Sequence, residues 1–373
     1  DPRLTGIVAS AVAKAAMESG VAKRPIEDFE AYAQKLQQFF YRSNLIMQPI
    51  FTKARAHTKK VVFAEGEDRR TLRAAQIIVD EGLAAPILIG RQRVLEARIE
   101  ELNLRLELGK NIEFCCPEDD PRYHDYWSLY YSIMERQGVT PEVAKSVIRA
   151  SNTVIAALMV HRGEADAMIC GIVGGYHYHL KHVQDIIGLH DGVETPAALV
   201  CLILSKGNLF IADTHVNPNP SAAQLSEMTV LAAKEIQRFG LDPNVALLSH
   251  SNFGTHGEES ATKMRDVLAD LKTRAPSLHV EGEMHADCAL SEEIRKEIMP
   301  GSPMQGTANL LVMPNVEAAN ITYNTVKILS EATTVGPLLL GMRKPAHILT
   351  PAATPRTLVN VAALAAVSSE VSG

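Results

Sequence analysis

Residues 171–187, which read GIVGGYHYHLKHVQDII, contain a pattern that can hold a phosphate group. They follow the apolar run ADAMIC, and Gly171, Gly174 and Gly175 let the backbone approach a ligand closely. The helix predicted after this turn would direct its N-terminal N–H groups at the same space. The turn lacks the GxGxxG spacing and the lysine of established phosphate-binding loops, so the pattern alone is a weak signal. It leaves open whether the site does chemistry or only holds a ligand.

Three histidines of this stretch raise the question of a metal ion. His177, His179 and His182 lie on the predicted helix, but no cysteine or carboxylate completes a ligand set with them. We interpret them as a surface or interface cluster, and we predict no metal site. His250 and His256 flank the polar glycine loop SNFGT, which either contacts a ligand or is an ordinary loop after a strand.

Composition limits the class of protein. The 373 residues are 46% hydrophobic and 21% charged, enough for two or three domains with their own cores. The net charge of −6, without a long basic block, argues against nucleic acid as the main partner. The apolar runs are too short to predict a membrane span, and we expect no signal peptide. Five cysteines without CxxC spacing favour reduced thiols, and therefore a cytoplasmic protein.

Short apolar runs alternate with helical patterns along most of the chain. The predicted strands are 61–66, 86–90, 166–171, 199–204, 209–213, 245–250, 310–314 and 347–351. The predicted helices lie near 68–82, 121–137, 141–161, 220–239, 260–273, 316–330 and 354–368. Continuous apolar strands separated by helices indicate a mainly parallel sheet covered on both faces, and hence the α/β class.

The ends of several helices are recognisable. Asp68 is expected to cap one helix and Thr140 another with Pro141 in its first turn, and Pro220 and Ser221 are expected to open a third. The first forty residues are different, because they contain no strand. Residues 7–20 read as one helix ended by glycine and 26–42 as another, which predicts a helical appendage.

Four longer stretches together resemble the phosphotransacetylases (phosphate acetyltransferases), which exchange an acetyl group between coenzyme A and phosphate. They are VVFAEGEDRRTLRAAQI, IADTHVNPNPSAAQL, GTANLLVMPNVEAANITYNTVKIL, and VGPLLLGMRKPAHIL with LVNVAALAA, and the resemblance covers about residues 50–370. It implies two α/β domains with a cleft between them. We expect the first to comprise 46–188 plus 336–373, and the second 189–335.

The beginning of the chain resembles another family. Residues 1–32 look like the last segment of the catalytic region of bacterial malic enzymes, and the two regions occur joined in long, multidomain NADP-dependent malic enzymes. The resemblance therefore implies that 1–45 are a malic-region tail and linker. It also implies that the residues for malate, NADP and a divalent metal lie upstream of this chain.

The site positions depart from the pattern of active phosphotransacetylases. In the glycine turn, Gly175 stands where the family has a serine, Lys181 where it has an arginine and His182 where it has a proline. Lysine cannot reproduce the two-pronged grip of a guanidinium on phosphate. A further arginine of the family aligns with Met134.

A second group of departures lies near the C-terminus. Thr350 replaces a serine, Pro351 an arginine, and Thr357 the aspartate thought to act as base on the coenzyme A thiol. The resemblance therefore implies a retained scaffold without catalytic residues. Gly175, Pro351 and Thr357 are the degenerate positions.

The resulting hypothesis is a regulatory and oligomerising region of a malic enzyme that binds acetyl-CoA or a related acyl-CoA as effector. The expected effector contacts are Gly174, Gly175, Tyr178, Lys181, Asn320, Lys344 and Thr350. The apolar segment TPAALVCLIL suggests a homodimer, or a higher oligomer, formed through the smaller domain. Two alternatives stay open: an active phosphate acetyltransferase, and a purely structural oligomerisation domain.

Overall fold

The computed structural model describes residues 2–22, 26, 28, 29, 32 and 46–369. At the start of the chain, helix α1 spans Pro2–Glu18, and Gly20 follows it with a left-handed φ of 73°. This confirms the predicted first helix and its glycine end. The helix predicted over 26–42 lies almost wholly outside the described residues.

Two sheets form the body. The first contains five parallel strands in the order β11-β4-β1-β2-β3. These strands are β1 Lys60–Phe63, β2 Ala85–Ile89, β3 Glu113–Cys115, β4 Ala167–Cys170 and β11 Ala346–Ile348. Since all five run in one direction, their carboxyl ends meet at one edge, where loops can converge on a ligand.

The second sheet is mixed and has the order β10-β5-β6-β9-β7-β8. Its strands are β5 Ala197–Leu204, β6 Gly207–Ala212, β7 Asn244–Leu248, β8 His279–Met284, β9 Leu310–Val312 and β10 Thr333–Leu340. β6, β9, β7 and β8 are parallel, whereas β10, β5 and β6 pair antiparallel. The predicted α/β class is confirmed, with an antiparallel edge on one of the two sheets.

Helices cover both sheets. They are α2 over 46–56, α3 Arg69–Glu81, α4 Gln92–Glu101, α5 Tyr123–Met134, α6 Pro141–Ala150, α7 Asn152–His161 and α8 Tyr176–Ile187. The later ones are α9 Ala222–Arg238, α10 Glu259–Arg274, α11 Ala286–Leu290, α12 Glu292–Ile298, α13 Val316–Leu329 and α14 Pro355–Ser368. The caps expected from Asp68 and Thr140 are present, and Ser221 is the N-cap of α9, which begins at Ala222 and not at Pro220.

Helix α14 ties the two sheets together. Every residue from Thr357 to Ser368 is buried, as expected for a helix that is apolar on all sides. It packs against α3 and β4 of the first sheet and β10 of the second, and its side chains belong to a core cluster shared by both sheets. The C-terminal segment therefore packs against elements of both sheets.

Three features of the sequence were misread. The predicted helix 141–161 is two helices, α6 and α7, bent by 104° around Ser151, whose backbone is extended. The boundary expected at 336 falls inside β10, because the Gly-Pro pair there forms an irregularity between Val335 and Leu338 and not a domain link. The segment TPAALVCLIL contains β5, which lies between β10 and β6 and packs inside the chain.

Among the residues described, no single helix has the length and apolar character needed to cross a membrane; the bent pair α6–α7 meets that requirement by length and composition only.

Candidate functional site

The glycine turn joins β4 to α8 at the carboxyl edge of the first sheet. Gly171 has a φ of 92°, and a Cβ at this position would lie 2.5 Å from the carbonyl oxygen of Leu349 in the loop after β11. Any larger residue would push the two loops apart. Gly175 caps α8 with its backbone alone, so the N–H groups of the first turn of α8 face the turn without a side-chain cap.

His179 is buried against the glycine turn, which it supports through hydrogen bonds, and it is not part of a surface cluster. Its side chain is only 3% exposed, its Nδ1 lies 2.8 Å from the hydroxyl of Thr153, and its Nε2 donates to the carbonyl of Val173 at 2.8 Å. Burial lowers the pKa of the imidazole, so it is neutral at pH 7. Gly174 packs directly against this ring, because a Cβ there would lie 3.0 Å from Nε2. The surface interpretation was wrong for His179.

Arg70 connects the glycine turn to the loop after β11. Its guanidinium donates to the carbonyls of Pro351 at 2.6 Å, Ala353 at 3.2 Å and Ile172 at 3.2 Å. Its remaining N–H groups form two bonds of 3.0 Å with the carboxylate of Asp68. All five guanidinium donors are therefore used within the protein. Arg70 holds the edge together and is not available to a ligand.

A carboxyl group with an unusual pKa lies beneath the turn. Glu65 follows β1, and its Oε1 accepts a hydrogen bond of 3.0 Å from the N–H of Gly171. Burial raises the pKa of Glu65 to about 7, against the opposing effect of that hydrogen bond. Carboxyl groups whose pKa is raised toward neutral pH cluster at functional sites, and Glu65 lies at the carboxyl edge of a parallel sheet, where such sites occur.

Glu65 lines a cavity of about 560 Å³ that opens at this edge. The other charged groups of its wall are Glu67, Asp68, Glu118, Arg91, Arg98 and Arg149. Arg91 forms a two-pronged ion pair with Glu67 and thereby lowers the pKa of that carboxyl. Asp68 forms an ion pair with Arg70. Arg98, which donates to the carbonyl of Glu67, and Arg149, which lies over the ring of Tyr123, also line the cavity, and neither forms an ion pair among the described residues.

The second domain meets the turn through aromatic rings. The ring of Tyr176, the first residue of α8, stacks on that of His215 from the loop after β6, with 4.9 Å between centroids. The ring of Tyr323 from α13 is tilted by 59° against that of His215, with 6.2 Å between centroids. Burial lowers the pKa of His215 to about 4, so the ring is neutral in this contact. The hydroxyl oxygen of Tyr176 is buried and has no hydrogen-bond partner among the described residues.

Asp213 and Asn320 fix the second-domain side of this junction. The carboxylate of Asp213 accepts backbone N–H groups from Ala198 and from residues 215–217, which shapes the loop that carries His215. The amide of Asn320 donates to the carbonyl of Thr214 at 3.1 Å. Asn320 therefore lies beside the aromatic junction.

The structure brings together Gly174, Gly175 and Thr350, since β4 and β11 are neighbours and end at the same edge. Tyr178 lies one turn into α8, where its hydroxyl is 3.0 Å from that of Ser151. Lys181 is further along and 65% exposed, with Nζ bonded to Asp185 Oδ2 at 2.7 Å.

Lys344 and Met134 are away from this edge. Lys344 precedes β11, whereas Thr350 follows it, so roughly 20 Å of extended chain separates the two ends. Lys344 lines a different cavity of about 420 Å³, with His190 and Arg238. Met134 is 4% exposed and packs in the hydrophobic core beneath α5.

The degenerate positions are occupied by structural contacts. Pro351 offers its carbonyl to Arg70, as described above. Thr357 is 8% exposed and forms a reciprocal capping box with Thr354 at the start of α14, with 3.0 Å between the two hydroxyl oxygens. Neither residue presents an ionisable group to the cleft.

Sequence reasoning missed Glu65, Arg70, Tyr176 and His215. Glu65 lies near the C-terminal end of the predicted strand 61–66, and this position was the available signal, because the carboxyl ends of parallel strands carry functional groups. The hydrogen bond from Arg70 to Pro351 and the stack of Tyr176 on His215 join residues that are distant in the sequence. No local sequence pattern predicts such contacts.

The chain has a parallel α/β domain and a mixed one, and α14 packs against both. The two domains meet through aromatic rings beside a glycine turn. These features define a phosphotransacetylase-type protein. The chain belongs to the phosphate acetyl/butaryl transferase family, which matches residues 45–366. It is 31% identical over 321 residues to a phosphate acetyltransferase of Corynebacterium glutamicum, covering 86% of this chain and 96% of that protein. A phosphotransacetylase structure from Staphylococcus aureus superimposes with a TM-score of 0.77 at 25% identity, covering 87% of this chain and 98% of that one.

A second kind of relative is more similar in sequence. The NADP-dependent malic enzyme of Salmonella typhimurium is 53% identical over 371 residues, which cover 99% of this chain but 49% of that enzyme. The chain thus spans about half the length of this relative. Both predicted resemblances, to phosphotransacetylases and to multidomain malic enzymes, are confirmed.

Proposed function

We propose that this chain is the C-terminal regulatory and oligomerising region of an NADP-dependent malic enzyme. In this proposal it binds acetyl-CoA or a related acyl-CoA in the cleft as an effector and does not transfer acetyl groups. The upstream region would oxidise and decarboxylate malate to pyruvate, with NADP and a divalent metal bound there. The identity of 53% along nearly the whole chain to a malic enzyme supports this assignment.

The proposed absence of acetyl transfer is supported by one observation: Pro351 and Thr357 make structural contacts and offer no catalytic group. A positioned general base contributes about 10²–10⁴-fold to a rate. A threonine hydroxyl is not basic at neutral pH, and that of Thr357 is bonded to Thr354. A fixed charged donor contributes a further 10²–10³-fold or so, and Pro351 has no such donor. Loss of both groups removes the proton acceptor and the charge stabilisation together.

Effector binding is supported by the glycine turn and the cavity beside it. The first turn of α8 and the guanidinium groups of Arg98 and Arg149 suit the phosphates of coenzyme A. The stacked rings of Tyr176 and His215 connect this edge to the second domain. A ligand that fills the cleft would contact both domains. Its binding could therefore change how the two domains are arranged, and thereby affect the rest of a larger enzyme.

One observation favours the alternative of a surviving acetyltransferase. Glu65, with its pKa near 7, is chemically able to accept a proton from a thiol. An assay that follows acetyl-CoA formation from acetyl phosphate and coenzyme A separates the two functions. We expect no rate above the control without protein. A clear rate that disappears in Glu65→Gln would establish the enzyme instead.

Calorimetric titration of the chain with acetyl-CoA tests the regulatory function directly. We expect saturable binding, and we expect acetyl-CoA to change the malate oxidation rate of the longer protein. Coenzyme A without the acetyl group is the matched ligand control. An absence of binding, together with intact oligomers, would favour the purely structural alternative.

A further inference from the structure

We propose that His250, His256 and Glu258 form a binding site for a divalent transition-metal ion of the zinc class. The three residues lie in the loop between β7 and α10, at the carboxyl edge of the second sheet. His250 Nε2 is 3.4 Å and His256 Nδ1 is 3.6 Å from the same oxygen, Oε2 of Glu258. The three ligand atoms lie within 4.8 Å of one another.

These separations agree with tetrahedral coordination. Zinc binds imidazole nitrogen at about 2.0–2.1 Å and carboxylate oxygen at about 2.0–2.2 Å, so neighbouring ligands of a tetrahedron are roughly 3.4 Å apart. Both nitrogen-to-oxygen distances are already near that value. The nitrogen-to-nitrogen distance needs to close by no more than about 1.4 Å, which rotation of two exposed rings can supply.

The loop that presents these ligands is held from behind by a buried carboxylate. Oε1 of Glu283 accepts hydrogen bonds from the hydroxyl of Ser251 at 2.6 Å, the N–H of Gly254 at 2.8 Å and the guanidinium of Arg265 at 2.9 Å. The side chain of Glu283 is only 1% exposed, so this anchor is protected from water.

The two histidines are fixed through their backbones by the same framework. The N–H of His256 donates to the hydroxyl of Ser251 at 3.1 Å, and its carbonyl accepts from Arg265 at 3.0 Å. The carbonyl of His250 accepts from Nε2 of His285 at 2.7 Å. Ligands that are positioned by such supporting contacts bind metal more tightly, because less ordering remains for the binding step.

The chemistry of the set selects the ion. Two neutral imidazoles and one carboxylate suit zinc and its neighbours, whereas calcium and magnesium prefer oxygen ligands. The side chains are 50–62% exposed, which leaves a route for the ion and a fourth position for water or an anion. No other three His, Cys, Asp or Glu side chains in the described part of the chain bring ligand atoms this close. A bound ion would link the two halves of the loop.

Equilibrium dialysis of the untagged 373-residue chain against zinc tests the site. We expect one ion per chain, and more than about 100-fold weaker binding in His250→Ala, His256→Ala and Glu258→Gln, since loss of mere supporting groups already costs 10–100-fold. His124→Ala is the matched control: His124 is exposed and lies 3.9 Å from the carboxylate of Asp125, without a third ligand. It should bind as the unchanged protein does.

Cobalt as a spectroscopic substitute identifies the ligands. We expect visible absorption from nitrogen and oxygen coordination without a thiolate-to-cobalt charge-transfer band, because the proposed site contains no cysteine. Such a band would point to Cys116, the half-buried thiol, and would overturn the proposal. Zinc binding that is equal in all three variants and the control would overturn it as well.

Discussion

The guanidinium of Arg70 donates to the carbonyl of Pro351 at 2.6 Å, across 281 residues of sequence. The same side chain bonds the carbonyl of Ile172, so one residue from α3 fixes both loops at the carboxyl edge of the first sheet. The fork shape of the guanidinium makes this possible, because its five donors point in fixed directions. The site geometry therefore depends on Arg70 although the residue contacts no ligand in our proposal.

Replacing Arg70 by lysine should loosen this edge. Lysine keeps the charge but cannot hydrogen-bond to Asp68, Pro351 and Ile172 at the same time. We therefore expect the free energy of unfolding to fall by about 1.5–3 kcal/mol. Urea titration measures the change. Arg69→Lys is the control, because Arg69 is exposed and, among the residues that the structure describes, pairs only with Glu101; its effect should stay within about 0.5 kcal/mol. Equal effects of the two substitutions would contradict the connection described here.

The raised pKa of Glu65 predicts a pH-dependent stability. The folded protein holds this proton up to about pH 7, whereas the unfolded chain releases it near pH 4.5. Between these values the folded state binds more protons, so stability falls as pH rises. A folded pKa of about 7 against an unfolded value of 4.5 corresponds to about 3 kcal/mol.

Glu65→Gln should remove this dependence. Comparing urea unfolding at pH 5 and pH 8, we expect the variant to gain stability over the unchanged protein at pH 8 and much less at pH 5. Glu67→Gln is the control: the hydrogen bonds from Arg91 lower the pKa of Glu67, so its stabilising contribution is lost only as the pH falls below 4.5, and the substitution should leave the difference between pH 5 and pH 8 nearly unchanged. If Glu65→Gln leaves the slope of stability against pH unchanged, the carboxyl does not titrate as described.

Lys181 remains a predicted phosphate contact, but it has a competing partner in Asp185. Lys181→Ala should weaken acetyl-CoA binding by roughly ten- to a hundred-fold, the usual consequence of losing a charged hydrogen bond. Asp185→Asn releases the lysine and should leave binding equal or tighter. Calorimetry measures both. Unchanged affinity in Lys181→Ala would exclude the contact.

The predicted dimer through the second domain now rests on α13 and not on the buried strand β5. Ile321, Ile328 and Leu329 are 67%, 72% and 81% exposed, and large apolar side chains this exposed on one helix suggest a covering partner. We expect dimers or larger oligomers in light scattering at micromolar concentration. Ile328→Glu should shift them toward monomer, whereas Val143→Glu, at an exposed position on the first domain, should not. A monomeric unchanged protein would contradict the prediction.

The local sequence determined most of the elements. Continuous apolar runs such as those of β4 and β7 could be recognised because both faces of these strands are buried. Asp68 and Thr140 could be recognised as helix caps, since capping is a contact between near neighbours. Strand β8, His279–Met284, escaped prediction because its sequence HVEGEM buries two glutamates that only tertiary partners can satisfy.

The site itself was decided by the tertiary structure. The glycine turn was visible in the sequence, because its backbone demands are local. The pKa of Glu65, the connection from Arg70 to Pro351 and the stack of Tyr176 on His215 depend on residues that meet only when β1, β4 and β11 align and the two domains close. Desolvation and side-chain contacts act through space, and a linear pattern records neither the burial of a group nor its distant partners.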